Sequence, residues 1–583
     1  MTPKKILIVG GVAAGATAAA RSRRLDERAR IIVFERGPHV SFANCGLPYH
    51  LGGVIADESA LLLSSPEQFQ EKFDIEVRVL AEVLAIDRDR REIRVRDRQS
   101  GREYVEAYDA LLLAPGARPV RPPVPGLDLP GVFTLRTVPD VRRVREWIEQ
   151  RGGRRAVVVG AGFIGLEVTE NLVRLGLAVE VLEAQQQVFT PLDREVAEPL
   201  ATHLEQNGVR LHLAQRLEAI ASRGDGDLEV VTSAGQRLPT DLVILALGVR
   251  PEADLASGAG LAVGRHGGVV VDASMQTSDP HVWAAGDVVE HTCFVTEDLR
   301  TVPLAGLANR QGRTAADSIA GRRAQLRGMQ GTFVCELFGL TVAGTGVTEK
   351  HLAAMGGAAG GSDGGHTAVW LHPKHHVTYY PGAEAIHLKL VYSTVDGRVL
   401  GAQAVGRRGV DKRIDVIAMA MQMGATVYDL EQAELAYSPQ FGAAKDPVNL
   451  AGMVAANQLR GDVQFARWEA LPPSGARGAV LVDVRESTEY ATDHVPGATN
   501  VPLASLRARS EELPRDRELW LYCETGKRSY DAARVLTQRG FRVRALPGGI
   551  QTWRQLGAPL PVAAGSADPG GAAEGGGSDS DLA

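Results

Sequence analysis

Two of the four cysteines stand where sulfur chemistry is possible. Cys45 lies in Ser41-Phe42-Ala43-Asn44-Cys45-Gly46-Leu47-Pro48-Tyr49, with helix-like sequence after it. A helix N-terminus carries partial positive charge, so this setting predicts a lowered thiol pKa and a reactive thiolate rather than a buried structural thiol. No second cysteine is near in sequence, which excludes a CxxxxC dithiol. The redox partner of Cys45 is then an external thiol, an oxygen species or a distant cysteine. Cys523 follows an apolar strand in Leu521-Tyr522-Cys523-Glu524-Thr525-Gly526-Lys527-Arg528 and opens a loop that enters a helix. Backbone amides of such a loop converge on an anion and stabilise a thiolate or persulfide, with Lys527 and Arg528 adding positive charge.

The other chemistry-bearing pattern is a glycine turn that occurs twice. Strand Ile6–Val9 leads into Gly10-Gly11-Val12-Ala13-Ala14-Gly15, an Ala-rich helix, and a second strand that ends at Glu35. Strand Ala156–Val159 leads into Gly160-Ala161-Gly162-Phe163-Ile164-Gly165, a helix, and a strand that ends at Glu183. In this context the glycines admit backbone amides to a pyrophosphate at the helix N-terminus, and the carboxylates bind ribose hydroxyls. Val12 replaces the central glycine of the first copy; the second copy is complete. Glu183 is not followed by an arginine, which favours NADH over NADPH because a carboxylate repels a 2′-phosphate. Buried-strand patterns ending at Gly116 and Gly248, each followed by Arg-Pro, repeat the duplication.

These sites need several domains to carry them, and 583 residues supply the length. Composition is globular, at 44% hydrophobic and 23% charged. A net charge of −6 argues against wholesale nucleic-acid binding. Four scattered cysteines are too few for a disulfide scaffold and fit a reducing cytoplasm. Lys4-Lys5 and the uncharged run Ile6–Ala20 imitate a signal peptide but hold the first glycine turn, so they are read as strand and helix. His372-Pro373-Lys374-His375-His376 has no Cys or Asp ligand beside it, and a solvated loop rather than a metal site is expected.

An N-terminal nucleotide site, an inserted second one, and a return at Ala285-Gly286-Asp287 resemble the pyridine nucleotide–disulfide oxidoreductases over about Met1 to Ala455. The resemblance implies FAD at the first site, NADH at the second, and Asp287 on the flavin ribityl chain. A single cysteine in place of a dithiol resembles the coenzyme A-disulfide reductases and their relatives, the NADH oxidases, peroxidases and persulfide reductases. It makes Cys45 the redox-active nucleophile. Thr17, Arg21 and Arg24 fall within about 60° on one helix face by their spacing. In the CoA-reducing enzymes this helix contacts coenzyme A, as do residues matching Ser41, Asn44, Lys72, Asn309 and Lys445. Tyr437, and Tyr379 or its neighbour Tyr380, resemble paired active-site tyrosines contributed by a partner subunit, which implies a homodimer. At the other end, Val480–Arg485, His494–Ala498 and the Cys-x-x-Gly-x-Arg loop resemble a rhodanese domain, with Asp493 where that family often has glycine.

The expected fold is α/β. An FAD-binding domain (1–118 and 248–326) encloses an NAD-binding domain (119–247). An α+β dimerisation domain (327–455), a linker (456–466) and an α/β rhodanese domain (467–562) follow, and the Gly-, Ala- and Ser-rich tail 563–583 is read as disordered. The expected function is NADH-dependent, FAD-mediated reduction of CoA persulfide, polysulfide or CoA disulfide. An NADH oxidase or peroxidase cycling Cys45 through sulfenic acid is the alternative.

Overall fold

The computed structural model describes residues 3–224, 226–355, 365–471 and 478–557; the 563–583 tail lies outside them. The chain divides into two units, Met1–Ala456 and Asn457–Ala583.

Lys5–Val9 has four buried residues in five and forms the centre of a parallel sheet. Its order is Val282–Ala284, Ala110–Leu113, Lys5–Val9, Arg30–Phe34, Glu76–Arg78. The strand most like a signal peptide is thus a core strand, and the run of β-branched residues reflects burial on both faces. The second sheet repeats the plan with Arg210–His212, Ala178–Leu182, Arg155–Val159, Leu242–Leu245 and Val132–Phe133, again all parallel. Each sheet is accompanied by a three-stranded antiparallel meander, Ala81–Ala107 in one half and Leu217–Thr240 in the other. The two Arg-Pro segments pair with each other: Ala117–Pro119 runs antiparallel to Val249–Pro251, with Arg118 opposite Arg250.

The third layer of the first unit is an antiparallel five-stranded sheet, ordered Phe333–Leu337, Leu340–Gly346, Val399–Gly406, Ile386–Ser393, His366–Leu371. The Val410–Gln422 helix packs on it. Two contacts lock this layer to the second nucleotide-binding sheet. Phe163, Phe189 and Phe333 form a ring triad with centroids 4.6–5.6 Å apart. Lys389, wholly buried, places its ammonium among Asp193 (2.7 Å), Glu195 and Glu349 (2.6 Å). Trp370 and Gln403 hydrogen-bond two of the same carboxylates. Three converging acids would suit a cation, and Lys389 is that cation.

Two expectations need correction. The histidines at 372, 375 and 376 are buried, not solvated. Nδ1 of His372 lies 2.7 Å from Nδ1 of His387, and His376 packs edge-on to Tyr380. Pairing with the strand that follows draws the segment inward through the bridge from Lys374 to Ala385. The stretch 456–466 is not an open linker: the Pro447–Leu459 helix runs into it, Val463 is buried, and Phe465 pairs with Ala545.

The second unit is a four-stranded parallel sheet, Thr499–Asn500, Ala479–Asp483, Glu518–Tyr522, Val543–Ala545. The amphipathic Lys527–Gln538 helix packs against it, burying Ala532, Ala533 and Leu536.

Candidate active sites

The two glycine turns are built alike. Gly10 and Gly160 have φ of +93° and +106°, and a Cβ on either would strike a facing carbonyl, Ala114 O at 2.1 Å or Ala246 O at 2.3 Å. Gly15 and Gly165 let the helix close on the turn, since a Cβ there would lie 1.9 Å from the carbonyl of Gly10 or Gly160. A Cβ at Gly162 would meet nothing, so that face of the turn is open to the cleft. Val12 has a negative φ of −99°, which explains why a valine is accommodated at the corresponding place.

Each acidic residue is clamped in the same way. Glu35 accepts from the amides of Gly11 (3.0 Å) and Gly37 (2.8 Å). Glu183 accepts from Ala161 and Gln185, both at 2.8 Å. Gly10, Glu35, Gly116 and Asp287 line one cleft of about 1790 Å³ together with Gly160, Gly162, Glu183 and Gly248. Burial raises the Asp287 carboxyl to about 6, so a hydroxyl partner there would relieve a desolvated group.

Cys45 lies exposed in the same cleft. Its loop is tied to the first glycine turn by the Ser41 amide, which donates to Gly11 O at 2.8 Å, with Ser41 itself at a left-handed φ of +48°. The expected lowering of the Cys45 pKa is overturned. The Leu47–Leu51 helix has only five residues. Enclosure by the cleft raises the thiol pKa, and Glu167 and Asp287 push it the same way. The thiol contacts Asn44 Oδ1 at 3.7 Å, a bond that requires its proton.

Sequence reading missed Glu167 and Tyr49. Tyr49 donates to Glu167 at 3.3 Å, and burial raises that carboxyl to about 7. The signal was available: a glutamate in the first turns of the Phe163–Arg174 helix, two residues past Gly165. His50 is not a base for Cys45. Its Nδ1 bonds Ile55 O at 2.7 Å and its Nε2 meets Arg145 at 3.1 Å.

The proposed substrate residues fall into two groups. Thr17 donates to Asn309, joining two of them across the Ala13–Leu25 and Ala305–Ile319 helices. Arg21 is paired with Asp317 at 2.7 Å. Arg24 is exposed, with its guanidinium 5.4 Å from the Phe73 ring, and Lys72 and Lys445 are also exposed. Tyr379 and Tyr437 meet at 2.8 Å between hydroxyls and are 73% and 46% exposed within the chain. Tyr380 instead packs on His376, which singles out Tyr379 as the partner of Tyr437.

In the second unit, Cys523 is 1% exposed, and the Gly526 amide donates to its sulfur at 3.1 Å. Ser529 Oγ lies 3.7 Å away. The loop is held from behind. Ile550 N donates to Cys523 O at 2.8 Å, and Gln551 N to Glu524 O at 3.2 Å. Glu524 turns from the sulfur to Arg485 (3.1 Å) and Arg554 (2.6 Å). Asp493 is extended, so its place does not demand glycine, and its carboxylate joins the same network through Arg485 and Arg554. Arg528 is held by both oxygens of Glu489 at 2.6 and 2.7 Å.

Comparison with known proteins agrees with this division. Residues 4–312 match the pyridine nucleotide-disulphide oxidoreductase model, 333–446 its dimerisation domain, and 469–556 the rhodanese-like domain. A coenzyme A disulfide reductase of Staphylococcus haemolyticus is 33% identical over 453 residues, covering 78% of this chain and 99% of that one. The structure of reduced CoADR-RHD from Bacillus anthracis superimposes with a TM-score of 0.92 at 41% identity, covering 95% of this chain and 98% of that one. The NAD-dependent persulfide reductase from A. fulgidus gives 0.86 at 36% identity, with 94% and 100% covered. None of the described helices is long and apolar enough to cross a membrane.

Proposed function

The chain belongs to the pyridine nucleotide-disulphide oxidoreductase family, and we propose that it is an FAD-dependent reductase that spends NADH on CoA persulfide, polysulfide or CoA disulfide. The observation that carries this reading is a lone exposed cysteine, Cys45, in the one cleft that both glycine turns line. Gly10, Gly15, Glu35, Gly116 and Asp287 fit FAD; Gly160, Gly162, Gly165, Glu183 and Gly248 fit NADH. When bound, FAD accepts a hydride from NADH and supplies two electrons to a disulfide.

Cys45 acts as nucleophile. Its thiolate attacks a sulfur of CoA disulfide, releases one CoA thiolate, and holds the other CoA as a mixed disulfide. Two electrons and a proton return the Cys45 thiolate and free CoA thiol, so each NADH and proton yields two CoA thiols from one disulfide. From CoA persulfide the same balance gives CoA thiol and hydrogen sulfide. Glu167, with its carboxyl at about 7 and Tyr49 beside it, exchanges a proton near neutral pH within the cleft of Cys45. Tyr379 and Tyr437, paired and exposed within one chain, suit a homodimer in which they complete a partner's site. The four unpaired cysteines suit a reducing cytoplasm.

Cys523 belongs to a sulfur-transfer module. The Gly526 amide stabilises its thiolate or persulfide, and Arg528 fixes the start of the following helix through Glu489. The test is anaerobic NADH consumption with CoA persulfide and with CoA disulfide, for the native enzyme and Cys45→Ser. Rapid turnover that collapses in the variant is expected. Oxygen or peroxide turnover exceeding sulfur turnover would instead establish an oxidase or peroxidase.

A further inference from the structure

The helices Ala13–Leu25 and Ala305–Ile319 lie side by side and form a track that leaves the cleft. They pack tightly at Gly312, where a Cβ would meet Ala14 O at 2.2 Å. On either side of Gly312 along the second helix, Thr17 bonds Asn309 and Arg21 pairs with Asp317. Successive helix residues turn by about 100°, so Asn309, Arg310, Arg313 and Asp317 share a stripe about 100° wide. Arg313 sits on that stripe between the two cross-helix pairs.

Arg21, one of the three residues on the helix face that the family resemblance assigns to coenzyme A, already has its charge answered. Asp317 holds it at 2.7 Å and also lies 3.7 Å from Arg322. Arg313 is exposed and makes no ion pair or side-chain hydrogen bond among the described residues. Arg310, one residue past Asn309, lines the cleft that contains Cys45. Arg24 is exposed toward the end of the first helix. Arg310 at the cleft and Arg313 about one turn further along the same helix are therefore cations of this stripe with no carboxylate partner among the described residues. A guanidinium matches a phosphate in shape as well as charge, and binds it by two parallel hydrogen bonds.

We propose that Arg313 is a specificity-determining residue that reads the phosphates at the nucleotide end of a CoA-type substrate. The inference rests on the CoA reading above. In it, Thr17, Asn309 and the Arg21–Asp317 pair set the spacing of the two helices, and Arg313 supplies the charge that distinguishes a phosphorylated nucleotide tail from a bare thiol arm.

Steady-state kinetics with CoA disulfide, 3′-dephospho-CoA disulfide and pantetheine disulfide test it, with native enzyme, Arg313→Ala and Arg313→Lys. Arg313→Ala should raise KM for CoA disulfide about tenfold with a much smaller change in kcat, as loss of one charge-assisted contact does. The kcat/KM advantage of CoA disulfide over pantetheine disulfide should shrink by a similar factor, and Arg313→Lys should recover part of it. A native preference for CoA disulfide that Arg313→Ala retains in full would overturn the inference alone. A native enzyme with no preference for CoA over pantetheine would overturn the CoA reading together with it.

Discussion

Cys45 and Cys523 each precede a helix, yet their surroundings prepare the sulfur in opposite ways. Cys523 is buried, receives an amide hydrogen bond, and sits on a loop whose carbonyls are tied from behind by the amides of Ile550 and Gln551. Cys45 is open to a wide cleft, and its neighbours Glu167 and Asp287 oppose thiolate formation. The protein alone completes the Cys523 site. At the Cys45 site Glu167 and Asp287 face the thiol, in a cleft that Arg136 and Arg310 also line. A cysteine followed by a short helix therefore carries no electrostatic meaning until the side chains across the cleft are counted.

Replacing the two cysteines gives the largest effects. Cys45→Ser should lower NADH-driven reduction of CoA disulfide by about 10³-fold or more, and Cys523→Ser should do the same to sulfur transfer from thiosulfate to cyanide. If either substitution abolished both activities, the two sites would not be the separate machines described here.

Next comes the support behind Cys523. Gly549 has φ +63°, and a Cβ there would lie 2.3 Å from Cys523 O and 2.6 Å from Glu524 O. Gly549→Ala should destabilise the C-terminal unit by about 2–4 kcal/mol and remove sulfur transfer, as read by urea unfolding and the thiosulfate assay. Full retention of both would mean that the loop is not held from behind.

The Cys45 side predicts a smaller change. Glu167→Gln removes one of the carboxylates that raise the thiol pKa. Alkylation of Cys45 by iodoacetamide at pH 7 should accelerate a few-fold in the cofactor-free protein, whereas Glu489→Gln, beside Cys523, should not alter it. An unchanged rate with Glu167→Gln would put the control of Cys45 elsewhere.

The smallest effect is on stability. Burial raises the Glu167 and Asp287 carboxyls to about 7 and about 6, above their ordinary 4.5 and 3.8. Between those limits the unfolded chain has lost protons that the folded chain keeps, so their contribution to stability falls as pH rises through this window. From pH 5 to pH 8 the urea midpoint of the N-terminal unit should fall less, or rise more, in Glu167→Gln than in the native protein. The buried histidines His291, His372 and His387, whose pKa values burial lowers, push the other way and equally in both.

Much of this was legible in the residues themselves. The glycine turns and the acids that follow them are local patterns, and the structure builds both turns on one plan. The single cysteine between them is equally plain. What escaped was set by tertiary neighbours. Arg21 looked like a free cation until Asp317, 296 residues away, met it. The histidines at 372–376 looked solvated because nothing local shows that Lys374 bridges to Ala385 and draws them under cover. Glu167 was visible only as one of several polar residues on the helix after the second glycine turn, and its importance comes from Tyr49 and Cys45 across the chain.

The paired clamps on Glu35 and Glu183 carry one more consequence. Each carboxylate is fastened by amides of its own turn, so the orientation a ribose hydroxyl would need is fixed by the protein itself. Little ordering entropy is then left to be lost on binding. An enzyme that discards NAD⁺ and takes up NADH in every cycle swaps its nucleotide on a rigid seat, and nothing in that seat has to refold between turnovers.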